Sequence, residues 1–282
     1  MKSIAAGMLL LAAAAPSAGQ SLQSIVVQGE RARQTLLQQT HEYLSSVVVR
    51  PWEQSLFRWG DPICPLVAGL PRDQGEFILA RLSQDFRDVG ADLAPAKCRA
   101  NMYVILTNEP AALLAAWRKR DRDLFNERSI PAIHRFLTSK RPIRVWYNGG
   151  SVAGFLGTLN TQTIAGGWLP GSRDSHASSL SWDTTSLLES VLVVVDLRRV
   201  QGLNLSQVAD YVALIGSTEV RQDAAVGDVP TILHLFAVTE RSAPTDLSEW
   251  DRAFLRALYD TDLTDKMQLG EIEHHMRADL VR

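Results

Sequence analysis

The side chains best suited to catalysis or metal binding are spread along this sequence rather than gathered in one motif. Glu271 and His275 are one helical turn apart and could share a surface metal ion, although a solvated helix face shows the same spacing. Neither a glycine-rich phosphate-binding signature nor the G-x-S-x-G motif of serine hydrolases occurs. The histidines are His41, His134, His176, His234, His274 and His275.

Two carboxylates, Asp210 and Glu219, belong to residues 204–220, whose apolar rhythm predicts an amphipathic helix. His234 follows shortly afterwards in the chain. Together these three residues are the candidates for acid–base chemistry in a hydrolase with a non-standard site. That interpretation requires their side chains to converge within hydrogen-bond reach of one another.

Predicted strands and helices surround this segment. The strands are expected near 63–68, 101–107, 143–147 and 188–197. The helices are expected at 31–49, 73–89, 110–119, 130–139, 245–260 and 265–281. In the helix expected at 245–260, Ser248 should form the N-cap, with Asp251 three residues later. This order predicts the α+β class, with a mixed sheet of about four or five strands, a central helix and C-terminal helices.

Residues 148–186 break this alternation. Seven glycines lie between Gly149 and Gly171, and serine and threonine are frequent throughout. A loop of this length inside a compact domain is typically functional or disordered. Trp168 and Trp182 are its candidates for an exposed binding surface.

The first 19 residues have the composition of a secretory signal peptide. Lys2 precedes an apolar run at 4–15, and small residues follow, so cleavage is expected after Ala18 or Gly19. The run is too short to span a membrane, and no later segment is a candidate. We therefore expect a periplasmic or secreted protein without a membrane span.

The two cysteines, Cys64 and Cys98, favour a disulfide in an oxidising compartment. Two buried thiols are the alternative. The separation of the two residues is not of the C-x-x-C type that indicates a zinc site. We predict no metal and no cofactor from the sequence.

The composition is that of an ordinary globular protein. The chain has 282 residues, 46% hydrophobic, with a formal net charge of −2 and no basic stripe, which argues against a nucleic-acid partner. After the signal peptide we expect residues 20–50 to form a lead, flexible at 21–30, and a helix. Residues 51–282 are then expected to form the main domain.

The C-terminal part, residues 188–260, resembles the catalytic region of the metzincin zinc proteases. In that family one helix carries H-E-x-x-H-x-x-G-x-x-H. Thr231-Ile232-Leu233 is similar to the turn beneath the metal, and residues 247–259 are similar to the final helix. Residues 58–107 also resemble an uncharacterised family of proteobacterial envelope proteins related to zinc metalloproteases. The motif positions are occupied here by Ala209, Asp210, Ala213, Gly216 and Glu219.

This resemblance implies a zincin-like domain without its metal, because the methyl groups of Ala209 and Ala213 cannot bind zinc. It implies a secreted or periplasmic, non-catalytic protein that binds a peptide or an envelope partner in a vestigial cleft roofed by residues 148–186. The alternatives are the hydrolase described above and a purely structural envelope protein. A stripe of small residues at helical spacing is also typical of any closely packed helix pair.

Overall fold

A computed structural model describes residues 18–49, 55–120, 125, 130–153, 184–237, 242–261 and 268–282. The chain divides into two compact units, residues 1–39 and residues 40–282. Trp168 and Trp182 lie outside the described residues. Among the described residues, no helix is both long enough and apolar enough to cross a membrane.

The α+β class with a mixed sheet is confirmed. The strands are β1 (Arg58–Trp59), β2 (Pro65–Ala68), β3 (Met102–Thr107), β4 (Ile143–Ala153) and β5 (Thr184–Asp196). The helices are α1 (Ala18–Val47), α2 (Arg72–Asp88), α3 (Pro110–Arg120), α4 (Ile130–Thr138), α5 (Leu205–Ser217), α6 (Glu249–Asp260) and α7 (Gln268–Leu280), with a 3₁₀ turn at Ile232–Phe236.

Strand β5 is the centre of the five-stranded sheet. One of its edges pairs with β4 in the antiparallel sense, and the other pairs in parallel with β1 and, further along, with β3. Strand β2 pairs in parallel with β3 and lies at the end of the sheet, as expected from Pro65, which has no N–H to donate. Helix α2 supplies the crossover that the parallel pair β2–β3 requires.

The alternation of side chains along the strands creates two apolar layers. Met102, Val104 and Leu106 of β3 belong to the main core, which also contains buried residues of α2, α5, α6 and α7. On the opposite face, α3 and α4 cover a smaller cluster around Trp146. In that cluster Phe125 meets Trp146 edge to face, with ring centroids 5.2 Å apart. The sheet is therefore covered by helices on both sides.

Several boundaries differ from the sequence prediction, and two of the differences are large. Residues 21–30 are not a flexible lead but part of α1, which begins at Ala18. They include several good helix formers and no proline, so the helix continues through them. Strands β4 and β5 also extend into the segment 148–186, where the pairing of the two strands provides partners for their backbone N–H and C=O groups. Gly149 is required there, because a Cβ at this position would lie 2.3 Å from the carbonyl oxygen of Leu187.

The predicted disulfide between Cys64 and Cys98 is confirmed, with the two Cα atoms 6.1 Å apart. It joins the residue before β2 to the segment that leads into β3. The side chain of Asn101 supports this junction, because its Oδ1 accepts from the amide of Cys64 at 2.7 Å. Its Nδ2 donates to the carbonyl of Pro62 at 3.1 Å.

Candidate functional site

Helix α5, which carries the metzincin-like motif positions, is a core helix. Every residue from Val208 to Ser217 is buried, so the predicted amphipathic helix is wrong over this part of its length. The side chains of Ala209 and Ala213 have no exposed area. Helix α2, the 3₁₀ turn and α6 all contact α5, which explains why it has no solvent face.

Gly216 is closed off by the sheet. A Cβ at this position would lie 2.3 Å from Cε of Met102 in β3. The indole of Trp59 in β1 donates to the carbonyl oxygen of Gly216 at 2.8 Å. The small residues of α5 thus permit close packing, and they do not line an open cleft.

Three aromatic side chains hold the C-terminal end of α5. The last carbonyls of a helix have no partner inside the helix. Here the hydroxyl of Tyr147 donates to the carbonyl of Ile215 at 2.7 Å, in addition to the Trp59 bond. The hydroxyl of Tyr259 donates to the carbonyl of Ser217 at 3.3 Å. Burial raises the pKa of Tyr259, so its hydroxyl remains a donor.

Asp210, one of the acid–base candidates, is held in an ion pair. Arg81 of α2 donates through Nε and Nη2 to the two carboxylate oxygens, at 2.7 and 2.8 Å. The amide of Leu247 donates to Oδ2 at 2.9 Å. Arg81 also bonds Asp246 at 2.7 Å. Because the carboxylate of Asp210 is completely buried and occupied by these donors, its role is structural.

Asp85 of α2 lies beside this pair. Its side chain is 2% exposed, its Oδ1 is 3.8 Å from Nε of Arg81, and its Oδ2 has no partner among the described residues. Burial and the neighbouring Asp210 carboxylate raise the pKa of Asp85 to about 8. Asp85 therefore holds a proton at neutral pH, which lets the two carboxyl groups lie together.

This cluster cannot be found by inspecting the sequence. The only local signal is the spacing of Arg81 and Asp85, which places them one turn apart on a predicted helix. Nothing in the sequence indicates that Asp210, 129 residues after Arg81, is the partner of that arginine.

Asp251 joins the 3₁₀ turn to α6. Its carboxylate accepts from Thr231 Oγ1 at 2.5 Å, from the amide of Ile232 at 2.9 Å and from the amide of Ser248 at 2.9 Å. Burial raises the pKa of Asp251, and these hydrogen bonds oppose the shift. The predicted capping pair Ser248–Asp251 is confirmed as a reciprocal capping box.

Glu219 and His234 each contact the backbone of other segments. Glu219 follows the end of α5, and its backbone carbonyl accepts from the amide of Val49 at 3.4 Å. Nε2 of His234 is 2.9 Å from the carbonyl oxygen of Val229. Within the part of the chain that is described, no hydrogen bond joins Asp210 to His234.

The same described part contains no group of three or more histidine, cysteine or acidic side chains placed to hold a metal ion. Nδ1 of His275 is 2.9 Å from the carboxylate of Asp260, so this member of the Glu271–His275 pair named from the sequence contacts α6. Comparison with protein-family models, with curated proteins and with solved structures yields no match for this chain. What the protein does must therefore be argued from its own geometry.

Proposed function

We propose that this protein is an extracytoplasmic, non-catalytic, zincin-like protein that acts by binding a peptide or an envelope partner. The observation that carries the non-catalytic part of the proposal is the burial of α5. Ala209 and Ala213 replace the two helix histidines of the metzincins, and both lie inside the core. The acidic side chain between them, Asp210, forms an ion pair with Arg81 instead of facing a bound water.

The zincin-like part of the proposal rests on the order of three segments and on how they are joined. The 3₁₀ turn follows α5, as the turn beneath the metal follows the metzincin active-site helix. Asp251 of α6 binds the backbone of Ile232 in that turn. Asp210 of α5 binds the backbone of Leu247, just before α6. Carboxylates thus connect the three segments, and these connections support the zincin-like part of the proposal.

Metal content and hydrolytic activity test the non-catalytic part. We expect the purified protein without residues 1–19 to contain far less than one zinc ion per chain after dialysis, and to cleave no peptide in a broad substrate library. Stoichiometric zinc that survives dialysis would overturn the proposal. Peptide cleavage that Asp210→Asn and His234→Ala both abolish would instead support the hydrolase alternative.

Site-specific photo-crosslinking in cells tests the binding part. A photoreactive amino acid at Trp168 or Trp182 should give a discrete adduct with one envelope component or peptide. The same amino acid at Val281, whose side chain is 74% exposed, serves as the control. Adducts that are equal in number and identity at all three positions would argue against a binding surface in the 148–186 segment.

A further inference from the structure

A cavity of about 370 Å³ opens at the carboxyl ends of β3 and β5, and its lining includes no residue of α5. The chain that follows β3 contributes Glu109 and the first turn of α3, and the chain that follows β5 contributes Arg198 and Arg199. The carboxyl ends of neighbouring parallel strands are a common location for ligand sites in α/β sheets. We call this cavity the basic pocket.

Arg144 is the buried member of the basic pocket. It lies on β4, and its side chain is 7% exposed. Its Nη1 donates to the carbonyl of Leu137 at 3.1 Å, whereas its buried Nε has no partner among the described residues. A buried guanidinium costs free energy, and an anion beside it would offset part of that cost.

The pKa of Arg144 also shows that its buried charge lacks sufficient compensation by negative charge. Burial lowers this pKa from its usual value, and Arg199 lowers it further, while Asp196 raises it. The carboxylate of Asp196 does not complete the site, because it already accepts from Arg198 Nε at 3.3 Å and lies 3.6 Å from Arg199 Nε. A further anion would stabilise the charged form of Arg144.

Helix α3 adds backbone donors to the basic pocket. It has 11 residues and begins at Pro110, and Ala111 and Ala112 of its first turn line the cavity. The N–H groups of a first turn have no acceptor inside the helix, and the helix dipole favours a negative charge beside them. The first turn is closed by the bond from the amide of Leu113 to the carbonyl of Glu109 at 3.1 Å.

The charges of the lining favour an anion. Four basic side chains face two acidic ones. Lys140 is exposed and forms no ion pair within the described part of the chain, so its ammonium is available to a ligand. The basic residues are Lys140, Arg144, Arg198 and Arg199, and the acidic residues are Glu109 and Asp196.

We propose that the basic pocket binds a phosphate group, either as free phosphate or as the terminal group of a small phosphomonoester. The donors come from β4, from the first turn of α3 and from the segment before β4. A tetrahedral oxyanion can accept from several directions at once, whereas a carboxylate offers two oxygens in one plane. The volume is near the lower end of the range for small-molecule sites, which suits a phosphate with a small substituent.

The test is calorimetric titration of the chain without residues 1–19, near neutral pH and at constant ionic strength. Inorganic phosphate, methyl phosphate and acetate are the three ligands. We expect saturable binding of at least one phosphate ligand and much weaker binding of acetate. Arg144→Gln and Lys140→Ala should each weaken phosphate binding about tenfold or more, as expected for the loss of a charge-assisted contact. Arg72→Ala removes an exposed arginine outside the pocket and should leave binding unchanged.

Tighter binding of inorganic phosphate would identify the ligand as free phosphate. Tighter binding of methyl phosphate would identify it as a small phosphomonoester. Lys140→Ala decides the outcome if Arg144→Gln does not fold, because Lys140 lies on the surface. The proposal is overturned if no saturable binding is seen, if acetate binds as tightly as phosphate, or if Lys140→Ala has no effect. An equal loss in Lys140→Ala and Arg72→Ala would also overturn it, since that result means general charge attraction.

Discussion

Buried charge is concentrated where α2 meets α5. Arg81 faces three carboxyl groups, those of Asp85, Asp210 and Asp246. Arg81 and Arg252 favour the charged form of Asp85, but burial and the neighbouring Asp210 carboxylate outweigh them, so the carboxyl group least well served by the two guanidinium groups takes up a proton. That group is Asp85, whose pKa is raised to about 8.

The Asp85 proton makes stability depend on pH. The folded chain holds this proton up to about pH 8, whereas the unfolded chain releases it near the ordinary value of 3.8. Between these values the folded state binds more protons. The free energy of unfolding should therefore fall as pH rises, by up to about 1.4 kcal/mol per pH unit. Asp85→Asn should flatten this fall in urea denaturation across that range.

Asp88→Asn is the control for this experiment, because Asp88 is exposed near the end of the same helix. It should keep the wild-type dependence on pH. A wild-type slope in Asp85→Asn would contradict the assignment of the buried proton to Asp85.

Arg81 should be worth far more to stability than an exposed arginine on the same helix. Arg81→Met leaves the completely buried carboxylate of Asp210 without its bidentate partner, which should lower the free energy of unfolding by about 3–5 kcal/mol. Arg72→Met breaks only an exposed pair with Glu76 and should cost less than about 1 kcal/mol. Chemical denaturation of the two variants measures the difference, and similar costs would show that the Arg81–Asp210 pair is not a structural anchor.

At the scale of elements, the packing of α5 disfavours a side chain at Gly216. Gly216→Ala would place a Cβ 2.3 Å from Cε of Met102, so this side chain would have to move within a packed core. We expect a loss of about 1–3 kcal/mol, although alanine is the better helix former.

Gly75→Ala is the matched control for Gly216→Ala. Gly75 lies within α2, and a Cβ there meets nothing within 4 Å. The same substitution should therefore stabilise the protein by about 0.5–1 kcal/mol at this position. Thermal unfolding of the two variants should show shifts of opposite sign. A stabilised Gly216→Ala would mean that α5 is packed more loosely than the structure describes.

Elements were predictable from the sequence where their signals are local. Pro110 marks the start of α3, and the Ser248–Asp251 box marks the start of α6, because both act within one helical turn. The burial of α5 was not predictable in the same way, since it results from neighbours that come together only in the tertiary structure. The basic pocket was not predictable for the same reason, because the residues that line it come from three segments separated in the chain. The metzincin resemblance itself stays a prediction.

At the scale of the whole molecule, the disulfide makes the stability of the fold depend on the redox state of the compartment. Cys64 and Cys98 are 34 residues apart, and α2 lies within the loop that they close. Closing such a loop lowers the entropy of the unfolded chain and should stabilise the fold by about 3–4 kcal/mol. The cytosol keeps thiols reduced, so the full stability of this chain is expected only outside it.

Thiol trapping in cells tests this link. The full chain should be exported, lose its first 18 or 19 residues and resist alkylation at both cysteines, whereas a chain without residues 1–19 should remain inside and be alkylated. Cys64→Ser/Cys98→Ser is the control, because it cannot be alkylated in either compartment. Its free energy of unfolding should be lower by about 3–4 kcal/mol. Complete oxidation of the chain that lacks residues 1–19 would show that the disulfide forms without export, and the extracytoplasmic location would then lose its main structural support.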